Sequence, residues 1–303
     1  VAMRISRFFL AALVLCLVQL LPGPAIAQTT GGSSKLPLWV AKGQSNTVHF
    51  LGSVHFLKRD FYPLPEPIEQ TYTNAEIVMF EVDIARMRNP AFSQKVLADG
   101  TFPAGKTIAE EISQETYERL QEALKKKLGQ GKLLDRFKPY MAALTLSVLE
   151  LQRLGFRSDD GVDQYIYRKA TRDKKEIRAL ETAEDQMSVF TTMNREEQEA
   201  LLLTSLEEMN QIETMFGDII AAWKSGDAMK LDTLIKDSMK EHPKLMEKLF
   251  ADRNQKWVAQ IEPLLQGDKN VLVIVGVGHL VGKDSVVEML QQKGIKVGQV
   301  SAP

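Results

Sequence analysis

Short apolar runs stand near both ends of the chain, and long stripes of helical period fill its middle. Leu38 to Ala41 and Thr47 to Leu51 flank Lys42-Gly43-Gln44-Ser45-Asn46, which predicts a hairpin with a glycine-containing loop. A proline-rich loop, with Pro63, Pro65 and Pro67, leads into a helix near Ile68 to Thr73. Ile77-Val78-Met79-Phe80 is a third strand, running into Glu81-Val82-Asp83. Helical spacing then takes over: Tyr117, Leu120, Leu124 and Leu128 form one stripe, and Met141 to Leu154 forms another that stops at Gly155. Glu176 to Leu180 reads as a strand inside this block. Thr182 follows as an N-cap, with Glu184 and Asp185 in the first turn, where the helix dipole favours negative charge. Asn194 caps a further helix with Leu202, Leu206, Met209 and Ile212 on one face. Trp223 to Met239 and Leu245 to Leu265 continue the helical pattern. Val271 to Val275 is a strand, Asp284 to Gln292 a helix closed by Gly294, and Ile295 to Val300 the last strand. The fold class is α/β: a mixed central sheet with flanking helices and a large helical insertion over about 105–265, all in one domain spanning 36–303.

The first residues fall outside this plan. Arg4 and Arg7 precede an apolar run from Phe8 to Leu21, too short for a comfortable membrane span. Pro22-Gly23-Pro24 breaks the run, and Ala25-Ile26-Ala27 is an A-x-A cleavage signal. Residues 1–27 are therefore expected to be a bacterial-type signal peptide cut after Ala27, and residues 28–35 a flexible leader. The expected location is periplasmic or secreted, with no stable membrane anchor after cleavage. The single cysteine, Cys16, leaves with the signal, which excludes disulfides and thiolate chemistry from the mature chain. A formal net charge of −1 with mixed signs throughout gives no basic stripe for nucleic acid. The twelve methionines fall mostly on the helical stripes and read as core fillers.

Two of the four histidines occupy matching places. Gly52-Ser53-Val54-His55 follows the second apolar run, and Gly276-Val277-Gly278-His279 follows the run near the end. Glycine lets the backbone turn as a strand ends, which sets each histidine at the C-terminal edge of the sheet, where open α/β sheets place their chemistry. Both side chains are expected to project into a cleft there. Glu81 ends its own strand and reaches the same edge; Asp83, two residues on, would share its face if the strand continued. Two histidines and a carboxylate form a usual hydrolytic metal site. A lone histidine is more often a hydrogen-bonded structural residue; a matched pair after glycine-broken strands favours function. His49 reads as a strand residue and His242, before Pro243, as a loop or helix-end residue.

Beyond these residues the chain resembles the TraB/GumN family. Leu38-Trp39-Val40, His49 to His55, Phe80-Glu81-Val82-Asp83, Leu180-Glu181-Thr182 with Gln186, Trp223 with Gly226-Asp227, Arg253-Asn254, and Gly276 to Leu280 with Gly282 match it in order. The family is similar to the Tiki proteins, membrane-tethered metalloproteases that cleave amino-terminal segments of secreted signalling proteins. The resemblance implies an exported hydrolase in which metal-activated water attacks a peptide or related acyl bond. His55, His279 and Glu81 would bind a divalent metal of unspecified identity or share that task with catalysis. Arg253 and Asn254 would hold substrate or an oxyanion; Glu181 and Gln186 match the family's Leu-Glu-Thr…Gln motif and, with Asp83, are candidate supporting residues of unassigned role. The substrate is a peptide or small molecule. The wider superfamily also holds erythromycin-esterase-like enzymes, which use histidine and glutamate without a required metal, and ChaN-like haem-binding lipoproteins. It therefore implies two alternatives, a metal-independent hydrolase and a non-catalytic haem- or peptide-binding protein.

Overall fold

A computed structural model describes residues 35–302. The expected signal peptide, its cleavage site after Ala27 and the leader up to residue 34 lie outside the described residues. Six strands form one mixed sheet: β1 (Lys35–Lys42), β2 (Thr47–Ser53), β3 (Ile77–Val82), β4 (Glu176–Glu181), β5 (Val271–Gly276) and β6 (Val297–Ser301). Their order is β4-β3-β5-β2-β1-β6. Lys35, expected to close the leader, is already the first residue of β1.

The two ends of the chain meet at the centre of the sheet. β5 lies between β2 and β3 and is parallel to both, with Ser53 opposite Gly276 and Phe80 opposite Ile274. β4 is parallel to β3, whereas β1 is antiparallel to its neighbours β2 and β6. Every residue of β3 and β5 is buried, as continuous apolar strands in a parallel sheet should be. Glu81 is the one charged residue in that pair of strands, so its burial needs partners.

The helical stretch expected over about 105–265 is interrupted by β4, which joins the same sheet at its edge. Several helix limits also move. The expected Trp223 to Met239 helix is two: Ile212–Lys224 and Ala228–Met239. They part at Gly226, whose φ of +62° belongs to the left-handed region that glycine enters without strain, and Asp227 caps the second. Val162–Arg172, not among the expected elements, forms an amphipathic helix whose stripe of Val162, Ile166 and Ala170, four residues apart, is buried. Thr182 and Asn194 cap helices Ala183–Thr191 and Arg195–Glu208 through reciprocal capping boxes. His242 stands at the N-cap of a short helix with its ring 2.9 Å from Thr204 Oγ1, and His49 lies within β2. Among the described residues no helix is long and apolar enough to cross a membrane.

Leu202, Leu206 and Met209 are buried, on and just after the helix that packs against Pro139–Arg153. Leu206 is 8% exposed, so Leu206→Ala should cost about 2–5 kcal/mol of stability, read as a lowered midpoint in urea without loss of slope.

Candidate active site

Parallel pairing aligns the ends of β2, β5 and β3, and that alignment brings three distant residues together. His55 Nε2 lies 4.0 Å and His279 Nε2 3.9 Å from the same atom, Glu81 Oε1. Gly276 faces this point: a Cβ there would stand 3.1 Å from Glu81 Oε1, 3.5 Å from His55 Nε2 and 3.6 Å from His279 Cδ2. The Gly276 N–H donates to Glu81 Oε1, so the glycine both makes room for the carboxylate and binds it. Gly52 serves the first strand end differently, its carbonyl accepting the buried Trp223 Nε1–H at 2.8 Å.

Arg253 and Asn254 enter from the side. They lie in the first turn of helix Asp252–Ile261, directly after a π-helical turn at Glu247–Ala251. A π turn adds a residue to the helical cycle and rotates the turns C-terminal to it; such turns are frequent at functional sites. Arg253 Nη2 donates to Glu81 Oε2 at 3.0 Å and to Glu181 Oε1 at 2.7 Å, and Nε donates to Glu181 Oε2 at 3.0 Å. Nη1 donates to the Leu249 carbonyl at 2.9 Å and lies 3.1 Å from His279 Nε2. A guanidinium has five N–H groups, and these contacts engage them all. Asn254 accepts from His279 Nδ1 at 2.6 Å and donates one of its two amide N–H groups to the Asp284 carbonyl at 2.8 Å. Arg253 therefore has no donor left for an oxyanion in this arrangement, and both residues position other groups. Gln186 reaches Glu81 Oε2 at 3.3 Å, which sets it, with Glu181, inside the cluster.

Two expectations are corrected. Asp83 is exposed and outside the site, because the chain leaves β3 after Val82 and the Asp83 side chain caps the turn Ile84–Met87 by accepting from Arg86 N. His279 does not project into a cleft. It is 2% exposed, with Trp257 and Phe250 ring centroids 4.4 and 5.0 Å away. The turn Val277–His279 folds the ring back under helix Asp252–Ile261. His55 does reach the surface, with 15% of its side chain exposed.

The reading of the sequence missed Asp163, whose Oδ1 lies 3.2 Å from His55 Nδ1. An acidic residue in the first turn of a helix is so common that the sequence gives it no distinguishing mark. Burial alone would lower the His55 pKa, but the charge and contact of Asp163, with Glu81 behind, outweigh it and leave the ring raised. His279 is held well below its ordinary value by burial, then by the Arg253 and His55 charges. With Nδ1 beside the Asn254 carbonyl and Arg253 donating at Nε2, its neutral form carries the proton on Nδ1.

The signs set a pH dependence. A buried histidine with a depressed pKa stays neutral folded but takes a proton unfolded, so its stabilisation is complete above about pH 6.5 and is lost as pH falls below that value. His279, His49 and His242 share this sign, each through burial. His55 has the opposite sign: its raised pKa stabilises at low pH and that gain fades as pH rises through the folded value. Three against one, the urea midpoint should fall between about pH 7 and pH 5, less steeply in His279→Ala.

The sequence implies a divalent metal, and the spacing of the donors bears on whether one fits. Metal–nitrogen and metal–oxygen bonds of about 2.0–2.2 Å place tetrahedral ligands about 3.4 Å apart. The 3.9 and 4.0 Å separations exceed this, and the Arg253 guanidinium already lies against His279 Nε2 and Glu81 Oε2. Among the described residues no three His, Cys, Asp or Glu side chains form a group able to hold a metal. As arranged, the cluster does not fit one.

Comparison with known proteins places the chain among its relatives. The chain is 24% identical over 244 residues to the uncharacterized protein YbaP of Escherichia coli (strain K12), covering 80% of this chain and 87% of that one. It is 21% identical to metalloprotease TIKI2 of Xenopus tropicalis, covering 88% of this chain and 60% of the relative. The same identity to human metalloprotease TIKI1 covers 93% of this chain and 65% of the relative. No solved structure matches significantly. The model of the TraB/PrgY/gumN family matches residues 37–299, nearly all of the described chain and every residue of the cluster, and the protein belongs to that family.

Proposed function

We propose that this chain is an exported hydrolase of peptide or related acyl bonds, working through the cluster at the ends of β2, β3 and β5. One observation carries the reading: two histidine Nε2 atoms converge on a single carboxylate oxygen at the sheet edge. The Tiki relatives are metalloproteases, and that likeness supplies the bond class. His55 is the histidine of the cluster with accessible surface, so proton transfer begins there. Its Nε2 takes a proton from a water, the oxygen attacks the acyl carbon, and the proton passes on to the leaving group. Glu81 faces the ring and stabilises its charged form. Arg253, paired to both buried carboxylates, Glu81 and Glu181, offsets their negative charge.

A second reading makes His55, His279 and Glu81 ligands of a divalent metal, which when bound would lower the pKa of water. It is favoured by the second nitrogen of each ring lying against a side-chain oxygen, of Asp163 or Asn254, as in metal-binding histidines. It requires Arg253 to leave His279 and Glu81. Metal analysis of wild type beside His55→Ala and His279→Ala, with a screen on unstructured peptides, separates the readings. Hydrolysis that survives exhaustive metal removal and is lost in His55→Ala supports the first. Stoichiometric metal lost in both variants supports the second. Hydrolysis unchanged in His55→Ala overturns both, and a Soret band on haem titration without hydrolysis would support binding instead. Mass spectrometry of the exported form should find Gln28 at its N-terminus; a retained Met3 would reject cleavage after Ala27.

A further inference from the structure

We infer that Asp163 is the positioning residue of His55: its carboxylate accepts the Nδ1–H and so holds the ring with its Nε2 lone pair toward Glu81. Asp163 Oδ1 is 3.2 Å from Nδ1 and, although buried, has no other hydrogen-bond donor among the described residues and no well-aligned hydrogen bond with the ring as it stands. A buried carboxylate oxygen without a donor is costly, and His55 is the group placed to supply one.

The backbone fixes this meeting. The Val162 N–H donates to the Val54 carbonyl at 3.1 Å, and Leu57 and Arg157 exchange backbone hydrogen bonds of 3.1 and 2.8 Å. The start of helix Val162–Arg172 is thus tied to the segment that carries His55. At Gly161 a Cβ would lie 2.5 Å from the His55 carbonyl oxygen and 2.7 Å from Asp163 Oδ1, so the helix cap approaches His55 more closely than any side chain would permit. The other histidine has the same support. Asn254 Oδ1, also in the first turn of a helix, lies 2.6 Å from His279 Nδ1. Each ring is therefore held at Nδ1 by an oxygen from a helix start, and each Nε2 faces Glu81 Oε1. A neutral imidazole free in water prefers the proton on Nε2; the carboxylate reverses that choice and leaves Nε2 able to accept a proton.

The catalytic consequence rests on the hydrolase reading, but the ring state does not. Long-range proton–nitrogen NMR on 15N-histidine protein at mildly alkaline pH reads the tautomer directly. Four rings are expected, and loss of one signal set in His55→Ala assigns His55. The wild-type ring should carry its proton on Nδ1. Asp163→Asn, whose amide can donate to Nδ1, should move it to Nε2, and Asp163→Ala should give a mixture. On a cleaved peptide, kcat of Asp163→Asn should fall by about 100-fold or more with KM little changed. A wild-type Nε2–H ring, or an Nδ1–H ring that persists in both variants, overturns the inference. A lowered melting temperature with an unchanged ring would assign Asp163 to helix stability alone and overturn it too. If neither variant folds, the wild-type spectrum still decides. An Nδ1–H ring in a protein that cleaves nothing keeps the positioning role and removes the hydrolase reading.

Discussion

Arg253→Ala is expected to lower stability by about 3–5 kcal/mol, the cost of stranding buried charge when one partner of an ion pair is removed. Arg253 is 5% exposed and is the cation bound to Glu81 and Glu181, both nearly buried. Its loss leaves two carboxylates facing one another, and one or both must take up a proton. The penalty should therefore shrink as pH falls through the raised pKa that burial gives Glu181. Arg253→Lys should recover only part of the loss, since an ammonium cannot bridge Glu181 in two places while meeting Glu81, Leu249 and His279. Urea unfolding at two pH values tests this. A loss under about 1 kcal/mol for Arg253→Ala would show that the cluster relaxes to reach solvent.

The two histidines should separate in their effects. His55→Ala should reduce kcat by about 10²–10⁴-fold, the range for removing a general base, with the unfolding midpoint nearly unchanged. Its ring is partly exposed, and water can replace it beside Asp163. His279→Ala should abolish turnover and also cost about 2–4 kcal/mol. That substitution empties a space between Trp257 and Phe250 and leaves Asn254 Oδ1 without its imidazole partner. The losses in turnover should be non-additive in the double variant, because both rings serve one centre. Wild-type turnover in the double variant would refute the catalytic role. Equal stability of the two single variants would refute the division between an exposed working histidine and a buried supporting one.

Much of this centre was legible along the chain because strand ends carry local marks. Gly52 and Gly276 announce the turns, apolar runs announce parallel strands, and the three residues that follow or end them share one edge by the logic of parallel pairing. The caps at Thr182 and Asn194 are equally local, since a hydroxyl or amide needs only the next turn's N–H groups. Asp83 misled for the same reason in reverse. Its alternation with Glu81 holds only while the strand lasts, and the strand ends at Val82.

By itself the sequence determined the α/β class, the hydrophobic strands and stripes, and the meeting of His55, Glu81 and His279 at one sheet edge, since period and glycine position are written residue by residue. Only the tertiary structure decided what each of the three can do. The π turn that aims Arg253, the burial of His279 beneath Trp257 and the meeting of Asp163 with His55 all depend on helices far away in the chain. Burial, charge pairing and hydrogen-bond direction are properties of what surrounds a side chain, and that surrounding exists only once the core has closed.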